Sequence, residues 1–136
     1  MTRPFLARRW RALPLLALPL LALLPCAASS QGDAARGAAI ASSRSQGLCV
    51  LCHALPDQPA ALQGDLGPPL AGVGARLDAE TLRQRLLAPE RFNPDTVMPA
   101  YGRTDGLQRV APALRGQPLL GAAQVDDVVA WLVSLR

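Results

Sequence analysis

Residues 47–53 read GLCVLCH, which places Cys49 and Cys52 three positions apart with His53 directly after the second thiol. Four chemistries use such a set. A Cys49–Cys52 disulfide would close a tiny loop and constrain the unfolded chain little. A tetrahedral zinc site needs about four Cys, His or carboxylate ligands. Past residue 28 the chain has no further Cys and no other His. A redox dithiol of the thioredoxin kind expects a βαβ setting, and no convincing alternating strand pattern is present. The fourth chemistry is c-type haem attachment, whose signature is C-x-x-C-H. Two thiols bond to one edge of the porphyrin, and the adjacent imidazole reaches the iron. This is the favoured reading, with one haem c held through Cys49 and Cys52 and ligated by His53. Two buried cysteines and a core histidine form the plain alternative.

The inventory then limits the second axial ligand. The chain contains no lysine, and Met98 is the only methionine after Met1. A thioether is a soft, neutral ligand that raises a haem's reduction potential. Met98 lies in a segment rich in Pro and Gly, where a gap-filling core methionine is less expected. It is the leading candidate for the sixth position. Tyr101 is a weaker one, and an open face, suited to gas or peroxide chemistry, is a third option. With Met98 on the iron, no His, Cys or Lys remains as base or nucleophile. The acidic residues read as helix caps and solvated faces. The chain is therefore expected to carry no catalytic residues and to move electrons.

The leading segment sets the compartment. Residues 1–28 carry Arg3, Arg8, Arg9 and Arg11, an apolar run from Ala12 to Leu24, and small residues at Cys26, Ala27 and Ala28. That is the layout of a secretory signal peptide. The run is too short to span a bilayer and is broken by Pro14 and Pro19. A lipid-modified Cys26 is disfavoured by Pro25 before it. A periplasmic domain at 29–136 follows, with no membrane attachment after cleavage. Four of the 14 basic residues lie in the leader, which leaves ten against ten acidic residues. The net charge of +4 is thus an export feature, and no nucleic-acid partner is implied. Only Phe92, Tyr101 and Trp131 supply aromatic mass to the domain. So thin a core suits a domain built around a haem.

The elements that must position these residues are few. Residues 32–47 read as an alanine-rich helix capped by Asp33 and ended by Gly47. Residues 54–76 carry many Pro and Gly and read as an ordered wrapping loop, with Leu66, Leu70 and Val73 as buried anchors. A second helix begins after Asp78, with Leu82 and Leu86, and Leu87 as a further candidate, forming its apolar stripe, and it ends at Pro89 or just before it. Residues 92–106 have too many breakers for regular structure, and 107–120 are mostly irregular with room for one helical turn. GAAQVDDVVAWLVSLR is the clearest helix, with Val125, Val128, Val129, Leu132 and Leu135 at helical spacing. The fold class expected is all-α, a few helices with long loops.

A helix leading into CVLCH, a GPPL loop, a Met loop and a final amphipathic helix resemble a class I cytochrome c. That resemblance implies close packing of the first and last helices, with Gly37 against Trp131, and orientation of His53 by the Pro68 carbonyl. GDLGPPLAGVGAR, RFNPDTVMPAYGRTDGLQRVAP and QVDDVVAWLVSLR are more specifically similar to SoxX-type subunits of SoxAX sulfur-oxidation cytochromes, over most of residues 32–136. The similarity implies a periplasmic mono-haem electron-transfer subunit with His53 and Met98 as ligands. Its partners would be a SoxA-type c-type cytochrome holding the catalytic haem, a soluble electron acceptor and, through the complex, the carrier protein SoxYZ. That complex would couple thiosulfate oxidatively to a carrier cysteine, an L-cysteine S-thiosulfotransferase type of reaction. A free-standing soluble periplasmic electron shuttle is the alternative. The balanced charge argues against it, because shuttles are steered by charged docking faces.

Overall fold

The computed structural model describes residues 31–136, and the expected export segment at 1–28 lies outside them. Asp33 opens helix α1 (Ala34–Ser42), its carboxylate accepting the Arg36 N–H at 3.0 Å. The helix ends well before the expected Gly47. Ser43 is extended, and its hydroxyl accepts the N–H groups of Ser45 and Gln46 at 3.3 and 3.1 Å. Serine side chains offer the backbone this alternative to a continuing helix. Gly47 instead closes the following turn, donating its N–H to the Ile40 carbonyl at 3.1 Å. A Cβ at Gly47 would lie 2.5 Å from that carbonyl oxygen, so the turn requires glycine.

A single-turn helix α2 (Val73–Arg76), which the sequence pattern did not announce, precedes α3 (Ala79–Leu87). Asp78 caps α3 by accepting the Thr81 N–H at 2.7 Å. Leu82 and Leu86 are buried, Leu87 rests at the surface, and Pro89 opens a 3-10 turn just beyond. The last helix, α4 (Ala122–Ser134), buries Val125, Val128, Val129, Trp131 and Leu132. Each such side chain contributes ~1.5–3 kcal/mol when fully removed from water. Among the described residues there is no strand, in agreement with the all-α expectation.

Helix α1 packs mainly on α4, and α3 packs on α4 beside it. The α1–α4 approach is set by Gly37, where a Cβ would stand 2.0 Å from the Asp127 carbonyl oxygen and 2.8 Å from Trp131 Cβ. The small and large partners are therefore Gly37 and Trp131, as the resemblance implied. Asp127 departs from the expected solvated role. It is 5% exposed, and its carboxylate accepts Arg36 Nε and Nη2, both at 2.8 Å, and the Asp33 N–H at 2.7 Å. The Arg36 hydrogen bonds, followed by the Asp33 amide, hold this carboxyl below its ordinary range. A bidentate charge-assisted pair thus fixes how the first and last helices meet.

The loops divide into anchored and exposed parts. Val73 is buried and Leu70 packs on the core, but Leu66 is 70% exposed and is no anchor. Backbone hydrogen bonds hold that stretch instead. Gly64, Gly67 and Leu70 donate to the carbonyls of Val50, Cys52 and Ala54 at 2.9, 2.7 and 2.9 Å. Residues 103–119 are mostly exposed and contain one 3-10 turn, Pro112–Leu114.

Candidate functional site

Cys49 begins a 3-10 turn, Cys49–Leu51, and Cys52 caps it. The chain enters through Leu48 in the left-handed region, at φ 60°. Such a conformation costs an ordinary residue ~1–2 kcal/mol. The N–H groups of Cys52 and His53 both point back to the Cys49 carbonyl, at 3.1 and 2.9 Å. Cys49 is buried and Cys52 half-buried, and both are free thiols. Cys49 Sγ donates to the Gly47 carbonyl at 3.5 Å and lies 3.9 Å from Tyr101 Oη. Burial pushes the Cys49 thiol up in pKa, which keeps it protonated.

The parallel strip of backbone hydrogen bonds from 64–70 lays the GPPL loop along this turn. Its effect falls on His53. The Nδ1 atom is 2.7 Å from the Pro68 carbonyl oxygen. A carbonyl can only accept, so Nδ1 carries a proton, and in the neutral imidazole the free lone pair is the one on Nε2. This is the arrangement that fixes the tautomer of a metal-ligating histidine and raises its basicity. Gly67 lies flat against the ring: a Cβ there would meet Cε1 at 2.4 Å, Nδ1 at 2.6 Å and Nε2 at 2.8 Å. The imidazole is therefore gripped on one face and oriented at one nitrogen.

Met98 comes from a different part of the chain. It is half-buried and packed against the core, in a loop whose turns are local. Asn93 Oδ1 accepts the Asp95 N–H, and Thr96 Oγ1 accepts the Met98 N–H, each at 3.1 Å. The loop reaches the Cys49 turn through Tyr101, whose hydroxyl donates to the Gly47 carbonyl at 2.7 Å. Tyr101 is buried, and burial, followed by the neighbouring Cys49, raises its phenol pKa. The hydroxyl is thus committed to the Gly47 carbonyl, and Tyr101 could serve as an axial ligand only by giving up that bond. The hydrogen-bonding role of Tyr101 carried no sequence signal beyond its aromatic type.

Among the described residues no three His, Cys, Asp or Glu side chains converge in a metal-holding group. Two arginines of the neighbouring loops are held within the chain. Arg76 donates to the carbonyls of Ala71 and Pro69, and Arg103 pairs with Glu90.

A cytochrome c family model matches residues 34–136. The chain belongs to the cytochrome c family. A cytochrome c domain carries covalently bound haem c and transfers electrons, and its all-α class I fold is the one seen here. Among solved structures, the chain is similar to a chain of the crystal structure of SoxXA from P. pantotrophus. The two share 32% identity over 79% of this chain and 84% of that one, with a TM-score of 0.70. This supports a SoxX-type cytochrome, as the quoted blocks suggested. A search of curated proteins found no match. The residues present fit the haem. Two unbridged thiols stand at the attachment spacing, an imidazole has its free nitrogen fixed by Pro68, and the Gly67 cradle would be filled by any Cβ.

Proposed function

We propose that this cytochrome c is the electron-transfer subunit of a periplasmic SoxAX-type complex. One haem c would be attached through Cys49 and Cys52, with His53 and Met98 as its axial ligands. The reading rests chiefly on the 32% identity to the SoxXA chain, sustained over 84% of that chain's length. Bound haem supplies a one-electron couple at iron. The protein's own part is to hold Nδ1–H of His53 on the Pro68 carbonyl, which leaves Nε2 as the donor, and to bring a neutral thioether from the Met98 loop. A Met/His pair favours a raised potential, suited to receiving electrons from a catalytic haem on a SoxA-type partner and passing them to a soluble acceptor. The coupling of thiosulfate to a SoxYZ cysteine would take place on the partner.

Residues 1–28 would direct export and leave residues 29–136 as the periplasmic domain. No helix among the described residues is long and apolar enough to cross a membrane. The exposed side chains of Leu107, Leu114 and Leu119, each about half exposed, suit segment 103–121 to contact with the partner. The test is isolation of tagged protein from the periplasm of its own host, with mass identification of what co-elutes. One stoichiometric c-type cytochrome partner is expected. A haem-bearing protein eluting alone would replace this reading with that of a free-standing shuttle.

A further inference from the structure

Beyond the packing of Met98 on the core and the Arg85 guanidinium 4.3 Å over the Phe92 ring, few contacts tie the Met98 loop to other elements. Among the described residues, the hydrogen bonds made by residues 92–100 are all local, and Phe92, Asn93, Pro94, Asp95, Val97 and Pro99 are exposed. Tyr101 is the first residue after them that reaches other elements, and it reaches three. Its N–H donates to Leu86 of α3 at 2.9 Å. Its carbonyl accepts the N–H of Leu120, at the entry to α4, at 3.1 Å. Its hydroxyl donates to Gly47, two residues before Cys49, at 2.7 Å. At 3% exposure the ring is enclosed.

Attachment chemistry makes the hydroxyl more important. The Gly47 carbonyl has two donors in the structure, Tyr101 Oη and Cys49 Sγ. A thioether has no S–H, so attachment at Cys49 removes the second. Tyr101 is then the donor left to a buried carbonyl, and leaving such a group without one is costly.

We propose that Tyr101 is a positioning residue for Met98, clipping the methionine loop to the attachment turn so that the thioether stays on the iron. This rests on the reading of Met98 as the sixth ligand. Loss of the hydroxyl should loosen Met98 without emptying the core, because phenylalanine fills the same space.

The test is titration of the haem-loaded protein with imidazole, which competes with Met98 for the iron, followed by absorbance and by midpoint potential. Y101F is expected to bind imidazole about tenfold more tightly, with haem still covalently attached and the potential lowered. V128A, which empties core space in α4 without touching any of the three Tyr101 hydrogen bonds, should lower stability and leave imidazole affinity within about twofold. A Y101F protein with wild-type affinity overturns the proposal, as does a V128A protein that shifts affinity equally. An M98A protein with wild-type spectrum and affinity overturns the ligand reading and the clip together. Altered M98A beside unaltered Y101F overturns the clip alone. If Y101F does not accumulate, amide hydrogen exchange in the wild-type protein decides the point. Tyr101 and Leu120 amides should exchange faster with imidazole bound, and unchanged rates overturn the proposal.

Discussion

Gly67→Ala adds one methyl group against the face of His53, and the structure says how far it intrudes. The new Cβ would lie 2.4 Å from Cε1, 2.6 Å from Nδ1 and 2.8 Å from Nε2. Ordinary carbon contacts sit near ~3.5 Å or beyond, so ring and loop must part by about 1 Å. Gly67 is not in the left-handed region, so alanine is acceptable to the backbone there. By itself that exchange would tend to stabilise, by roughly 0.4–1 kcal/mol. Overpacking opposes it with about 1–3 kcal/mol. Gly67 is bonded directly to Pro68, so displacement of the loop also strains the 2.7 Å His53–Pro68 hydrogen bond, adding about 1 kcal/mol. The expected net loss is ~1–3 kcal/mol of stability, together with a changed midpoint potential, because the orienting bond tunes the ligand. The control is Gly106→Ala. It meets nothing within 4 Å but sits at φ +68°, so it carries only left-handed strain, ~1–2 kcal/mol, and should leave the potential alone. Denaturant unfolding and redox titration of both haem-loaded variants are the assays. A G67A protein with unchanged potential, and stability no lower than wild type, would refute the account of how His53 is held.

Gly37→Ala should be among the most damaging small substitutions, because its Cβ would stand 2.0 Å from the Asp127 carbonyl in the α1–α4 crossing; a loss of ~3 kcal/mol or more by denaturant unfolding is expected. Asp127 has a folded pKa below its unfolded value of about 3.9, so its contribution is present above that value and is lost as pH falls through the depressed one. Urea midpoints between about pH 5 and pH 2 should therefore fall less steeply in Asp127→Asn than in wild type, and equal slopes would dismiss the Arg36 pair as the source. Replacing Leu107 and Val110 together with serine should leave haem attachment and folding intact but weaken co-purification of the partner, and undiminished recovery would remove segment 103–121 from the interface.

The helices that a period and a cap announce were legible in the sequence. Asp33, Asp78 and the valine stripe of α4 do what their types and spacing indicate. The end of α1 was not legible, because Ser43 diverts the backbone into its own turn before Gly47 is reached. Leu66 is exposed because an apolar residue in a loop need not be buried when backbone hydrogen bonds, here from Gly64 and Gly67, hold the stretch. Asp127 had a signal that was there to be used. It precedes Trp131 by four residues, so it lies on the same buried face of α4, and charge alone suggested solvent. At the candidate site, the C-x-x-C-H spacing and the lone methionine are plain in one dimension. The Tyr101 hydroxyl on Gly47 joins residues 54 apart, and no local pattern encodes that.

The most direct test is the mass of the peptide spanning Cys49 and Cys52 from protein purified from its native periplasm. The account predicts one haem added to that peptide, with neither thiol open to alkylation. Unmodified peptide with both cysteines alkylated would contradict it.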